Sequence, residues 1–198
     1  QAAITDPAKF GVLLRQIDGR AGQLEVTYAL RLMALCYPRP IECRSARWEH
    51  IDFKASVWHI PAEITKMRRP HDIPLSRQAL ALLRELHKIS GQGQLLFPSY
   101  RIITPISENA MNQALRRMGV QNSEHCSHGF RASASTILNT MGFDERVIEV
   151  SLAHVDTNQV RRAYNRSQYW DQRVAMAQDW ADICDRLKAN ARDNSDLV

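Results

Sequence analysis

The 198-residue chain is 44% hydrophobic and 24% charged, the balance of an ordinary globular domain with a real core rather than a disordered or fibrous chain. Its net charge of +5 is moderate, but 21 of its 26 basic residues are arginine, a planar and permanently charged fork suited to phosphate. A GC-rich coding sequence enriches arginine too, so composition alone leaves both explanations open.

Asp6-Pro7 reads as a helix start, a carboxylate N-cap followed by proline at the first helical position, and predicts a helix through about 17 with Phe10, Leu13, Leu14 and Ile17 on one face. Residues 19–22 form a turn, and 23–36 a second helix rich in Leu, Ala and Met. Pro38 and Pro40 flank Arg39 and hold it in a bend before a short helix over 40–47. The runs 48–53 and 56–61 read as short β segments around a turn at Lys54-Ala55, and 71–74 as a third strand. Lys66, Arg68 and Arg69 lie in the connection between the last two strands. Helices resume over 76–89, 107–118, 128–141, 144–152, 158–165 and 167–190, with a loop over 91–104 and with Gly119 and Gly142 as C-cap residues. The expected fold class is α+β, mostly helical with a small three-stranded antiparallel sheet, in one domain over 1–190 and with a polar, frayed tail over 191–198.

Several functions are disfavoured by pattern. The four cysteines, Cys36, Cys43, Cys126 and Cys184, form no C-x-x-C pair, and read as reduced thiols of a cytoplasmic protein. The histidines show no H-x-x-H or H-E-x-x-H, and no carboxylate cluster marks a magnesium site, so neither metal nor cofactor is expected. No apolar run approaches the roughly 18–20 residues of a membrane span, and no signal peptide opens the chain. Gln1 in place of methionine reads as a fragment or trimmed chain.

The chemistry-bearing residues fall in one order: Arg39 in Tyr-Pro-Arg-Pro-Ile-Glu (37–42), Lys66 in Thr-Lys-Met-Arg-Arg (65–69), His128-Gly-Phe-Arg131, Leu-Ala-His154, and Tyr164 in Arg-Arg-Ala-Tyr-Asn-Arg (161–166). At about 100° per residue, Phe130, Ala134, Ile137, Leu138 and Met141 form the core stripe of their helix, while His128 and Arg131 lie together on another side. The N-terminus of that helix offers unpaired N–H groups to an anion. A phenol is a weak nucleophile near neutral pH, and surrounding guanidinium groups favour its ionised form. Each piece also has a plain reading: a solvated His and Arg, a charged surface loop, a capping Glu42, a His154 serving as helix-dipole partner, a core tyrosine. Tyr169 is a rival nucleophile, although packing beside Trp170 suits it better.

Taken together, these strings, with Met-Arg-Arg-Pro-His (67–71) and Ile-Pro-Leu-Ser (73–76), resemble the tyrosine recombinases, or phage-type integrases, in their prophage and satellite-phage branch. The resemblance spans about Pro7 to Asp182. It implies a site-specific recombinase that cuts and rejoins DNA through a 3′-phosphotyrosyl intermediate, with Tyr164 as nucleophile. Arg39 and Arg131 would clamp the phosphate, Lys66 would act as general acid, and His128 would assist proton transfer. His154 would hydrogen-bond the phosphate, and Glu42 would support an arginine. Arg68, Arg69, Arg116, Arg117, Arg161 and Arg162 are expected to meet the DNA backbone. The family pattern commonly has glycine where Ile41 stands, which predicts an altered local turn.

By the same resemblance the partners are double-stranded attachment-site DNA and other protomers. The expectation is a monomer without DNA, a tetramer on paired sites, and accessory bending or directionality factors. The N-terminal DNA-binding modules usual in such integrases are expected to be absent from this chain. The rival readings are a type IB topoisomerase, a DNA-binding regulator without catalysis, and, more weakly, an RNA-binding or structural protein.

Overall fold

In the computed structural model, which describes residues 1–100, 103–153 and 169–191, Asp6 caps α1 (Pro7–Asp18) by accepting the Lys9 N–H at 2.8 Å. Then come α2 (Leu24–Cys36) and the five-residue α3 (Pro40–Arg44). A 3₁₀ turn over Trp48–His50 leads into the sheet, formed by β1 (Ile51–Asp52), β2 (Val57–Ile60) and β3 (His71–Pro74). The remaining helices are α4 (Arg77–Ser90), α5 (Ala110–Arg117), α6 (Gly129–Thr140), α7 (Glu145–Ser151) and α8 (Trp170–Asn190).

The sheet is antiparallel in the order β1-β2-β3, with Trp58 opposite Ile73 and Ile60 opposite His71. The Asp52 carboxylate accepts the N–H groups of Lys54 and Ala55 and so closes the first hairpin. The first β run is shorter than its sequence suggests. His50 turns its Nδ1 back to accept the Arg47 N–H at 3.3 Å, and this fixes a 3₁₀ turn before pairing begins. Helix α5 likewise starts at Ala110 instead of 107. The glycine stops hold: Gly119 and Gly142 sit at φ +87° and +84°, beyond α5 and α6. Val120 N–H donates to the Leu115 carbonyl, and Phe143 N–H to the Leu138 carbonyl.

The core is built around α8. Trp180 is fully buried, donates its indole N–H to the Ala34 carbonyl at 2.8 Å, and packs on Phe10 and Tyr37. Phe10 in turn meets Phe130, and Phe130 meets His125. One aromatic chain therefore runs from the start of α6, through α1 and α8, to the end of α2. Each such ring contributes roughly 1.5–3 kcal/mol by its burial. Gly11 lets α1 and α8 touch, because a Cβ there would run into the Leu187 carbonyl. Met176, Trp180, Ile183 and Cys184 of α8 are buried in this core, whereas Val174 is exposed.

Candidate active site

Arg39 is the N-cap of α3, where Pro40 occupies the first helical position. Glu42, only 1% exposed, takes both the Arg39 N–H (2.7 Å) and its Nη1 (3.0 Å). One carboxylate therefore caps the helix and orients the guanidinium. Ile41 lies inside this helix and has no positive φ, so its backbone conformation does not call for glycine.

Arg131 stands on the first turn of α6, 8% exposed. Its Nη1 donates to the Tyr37 carbonyl at 2.9 Å, and its Nη2 to the Leu152 carbonyl at 2.5 Å. Burial and the neighbouring Arg39 charge push its pKa down to about 10, while Glu42 opposes the drop. It stays a cation at neutral pH. Tyr37 presents its carbonyl from a left-handed C-cap of α2 at φ 40°, a conformation that costs a non-glycine residue energy.

His128, half-buried, is the N-cap of α6. Burial holds its pKa below the usual histidine value, as do the charges of Arg131, Arg39 and Lys66. The ring is thus held toward its neutral form. The anion site expected from the bare N-terminus of this helix is partly used up, because the Gly129 N–H donates to the Cys126 carbonyl and the Arg131 N–H to that of His128. Side chains, rather than backbone, supply the positive field. Gly129 is required by close approach, since a Cβ there would meet the Ala2 carbonyl.

Lys66 is exposed in the β2–β3 connection. Thr65, buried beneath it, donates its hydroxyl to the Arg69 carbonyl at 2.8 Å and accepts the Arg69 N–H at 2.9 Å. Arg68 turns the chain at φ 49°. Arg68 and Arg69 are exposed on the same turn. Arg116 is half-buried and spends its guanidinium inside the fold, on the His125 and Asn112 carbonyls. Arg117 bears on Arg20, which hydrogen-bonds Gln23 and Thr27 at the start of α2. Thirteen helical residues, about 20 Å, separate that end from Arg39. His154, Arg161, Arg162 and Tyr164 lie outside the described residues, as does the helix expected over 158–165.

The other tyrosines have different settings. Tyr37 is buried, with its phenol pKa pushed up to about 12 by desolvation. Tyr28 is stacked under Arg31, Tyr169 is the N-cap of α8 and packs on the core, and Tyr100 is on a solvent-exposed loop.

Residues that the sequence reading missed support the site from behind. They are Tyr37, Thr65, Ser151 and Arg173. Arg173 alone carried a signal: it falls in one stripe with Met176, Ala177, Trp180 and Cys184, where a lone arginine is out of place.

Among the described residues of this mostly helical domain, the charges of Arg39, Arg131 and Lys66 all bear on His128, and that of Arg39 bears on Arg131. The chain belongs to the phage integrase family, whose profile matches residues 10–170. It is 49% identical over 150 residues to prophage integrase IntA of Escherichia coli K12, covering 75% of this chain and 36% of that protein. It is 40% identical to the integrase of Enterobacteria phage P4, covering 90% and 44% of the two chains. The chain thus spans less than half the length of these relatives. The integrase from mycobacterium phage Brujita shares the fold, with a TM-score of 0.65 at 19% identity over 92% of this chain and 62% of that one. Among the described residues no helix is long and apolar enough to cross a membrane.

Proposed function

We propose that this chain is the catalytic part of a site-specific recombinase that cuts and rejoins double-stranded DNA through a covalent 3′-phosphotyrosyl intermediate, for integration, excision or both. The observation that carries this reading is the pairing of two anchored guanidinium groups. Arg131 is buried beside Arg39, whose charge works against it. Two guanidinium groups held close together, with the buried Glu42 carboxylate paired to one of them, suit the binding of an anion. Integrase relatives on this family's sequence make a phosphodiester the natural anion.

In the proposed reaction the Tyr164 oxygen attacks the scissile phosphorus while its proton passes to the neutral His128 ring. Arg39 and Arg131 hold the non-bridging oxygens as charge builds on them. The bond to the 5′ oxygen breaks, and that oxygen takes a proton from Lys66. His154 hydrogen-bonds the phosphate. One ester replaces another, so a 5′-hydroxyl from a second duplex reseals the strand by the reverse steps without an external energy source. Arg68, Arg69, Arg117, Arg161 and Arg162 contact backbone phosphates, fixing position rather than sequence. The intramolecular bonds of Arg116 take it out of that set.

The partners proposed are attachment-site DNA, further protomers that assemble as a tetramer on paired sites from free monomers, and accessory bending or directionality factors in the bacterial cytoplasm. The catalytic domain spans 1–190. The test is to incubate the full-length protein with nicked duplexes tiling the DNA on either side of its gene and to look for an SDS-resistant adduct. An adduct lost in Tyr164→Phe supports the reading; no adduct, or one undiminished in that variant, refutes it. Covalent capture with supercoil relaxation and no strand exchange would favour a topoisomerase.

A further inference from the structure

We propose that Arg173 is a positioning residue for strand cleavage: it clasps together the two ends of the segment that bears His154 and Tyr164. This deepens the phosphotyrosyl reading and rests on it. Arg173 lies in the first turn of α8, 2% exposed, immediately downstream of that segment. Its Nε donates to the Ser151 hydroxyl at 3.3 Å, across 22 positions. Ser151 is the last residue of α7, immediately upstream. The Nη2 of Arg173 donates to the Asp72 carbonyl at 2.5 Å, on β3. Its guanidinium also lies 5.3 Å from the Trp170 ring centroid. A single side chain thus joins the start of α8, the end of α7 and the sheet.

The end of α7 is where the site needs accuracy. Leu152, next to Ser151, gives its carbonyl to Arg131, and Ala153 follows in a left-handed conformation at φ 49°. The Ser151 carbonyl meets His71 Nε2 at 3.2 Å, and its side chain acts to lower the pKa of the Tyr37 phenol; the Tyr37 carbonyl is the other acceptor of Arg131. Arg173 therefore bears, through Ser151, on both anchors of the catalytic arginine. On the other side of β3, the chain leads back to Lys66. Packing alone does not call for arginine here: the rest of its stripe is Met176, Ala177, Trp180 and Cys184, and a methionine would fill the position. A buried guanidinium is costly to place unless its directed hydrogen bonds are needed.

The experiment measures duplex affinity, melting temperature and single-turnover adduct formation at saturating duplex. It uses the full-length protein and whichever nicked flanking duplex gives the wild-type adduct. Arg173→Met keeps bulk and apolarity and removes the donors. It is expected to bind that duplex within twofold of wild type and to form adduct about 100-fold more slowly, the scale of a small misplacement of reacting groups. Arg173→Lys, which restores one directed cation, recovers about tenfold of that loss. Ser151→Ala removes the upstream acceptor of Arg173, together with the hydroxyl that acts on Tyr37, and slows cleavage without weakening binding. The proposal is overturned if Arg173→Met cleaves within threefold of wild type. It is equally overturned if binding, melting temperature and cleavage fall together with Arg173→Lys no better than methionine. Should Arg173→Met not fold, Ser151→Ala decides, and cleavage within twofold of wild type overturns the proposal. A missing wild-type adduct refutes the phosphotyrosyl reading itself, whereas a wild-type adduct insensitive to Arg173→Met refutes only the clasp.

Discussion

Arg131 donates to the backbone carbonyl of Tyr37 across 94 positions of chain, at 2.9 Å. The bond ties the motif that begins α6 to the residue two before Arg39, so the two arginines are located by one contact. Its second anchor, the Leu152 carbonyl, needs the other arm of the same planar fork. A lysine cannot satisfy both acceptors. Arg131→Lys should therefore retain the fold but lose cleavage by about 100-fold or more, on the scale of removing one preorganised transition-state donor. Duplex binding, measured in parallel, should fall far less.

Glu42 serves the other arginine. Glu42→Gln keeps an oxygen for the Arg39 N–H but removes the charge that offsets two adjacent guanidinium groups. A stability loss of about 2 kcal/mol follows from weakening a buried, charge-assisted pair. Cleavage should drop by more than that loss explains, since the Arg39 fork is no longer aimed. Denaturant titration and single-turnover cleavage on the same preparation check the two effects separately.

Much of this architecture is legible in the sequence. Local signals place α1, from Asp6-Pro7, and the ends of α5 and α6, from Gly119 and Gly142. Spacing puts Phe130 in the core, with His128 and Arg131 elsewhere on the helix. The acidic partner of Arg39 is three residues away, within the reach of a helical turn. What stays hidden depends on contacts between distant segments. Nothing local says that Tyr37 turns left-handed or that its carbonyl faces α6. The inward turn of Arg116 depends on where the loop leading to α6 folds back, and the clasp of Arg173 depends on β3 and α7 meeting α8. The glycine in His-Gly-Phe-Arg likewise reads as a motif letter until the Ala2 carbonyl is found against it.

That glycine gives a test of packing alone. In Gly129→Ala the new methyl meets the Ala2 carbonyl and approaches the His125 ring at 3.1 Å. Either the amino-terminal segment lifts off or α6 shifts. Overpacking of this kind costs about 1–3 kcal/mol. Urea denaturation should register the loss, and deleting residues 1–4 should remove most of the difference between the wild type and the Gly129→Ala variant.

His128 should set the acid limb of cleavage. Burial and the surrounding cations depress its pKa below 6.5, so the ring is ready to accept a proton at neutral pH and is protonated only in acid. The cleavage rate should be flat through pH 7 and fall only below 6.5. Proton NMR of the ring checks this without activity: the midpoint should lie below 6.5 and rise in Arg39→Ala, which removes one of the depressing charges. A midpoint above 6.5 would contradict the electrostatic reading of the site.

His125 supplies the matching stability effect, behind α6. It is fully buried, its Nδ1 accepts the Ile4 N–H at 3.1 Å, and its ring packs edge-on against Phe130. Desolvation, helped by the Arg116 charge, pushes its pKa from 6.5 down to about 4. The folded-state value lies below the unfolded one, so the unfolded chain binds the proton first as pH falls. The stability held by the neutral ring is complete above pH 6.5, declines between 6.5 and 4, and is gone below that. At about 1.36 kcal/mol per unit the full loss is on the order of 3 kcal/mol. His128 titrates with the same sign, and carboxylates join below about pH 5, so the informative window is roughly 6.5 to 5. In that window, urea denaturation in a His128→Gln background should show stability falling with pH. Adding His125→Asn should reduce the slope, leaving the part that His50 contributes with the same sign, while lowering stability at about pH 7.5, because the ring's packing on Phe130 is lost at every pH.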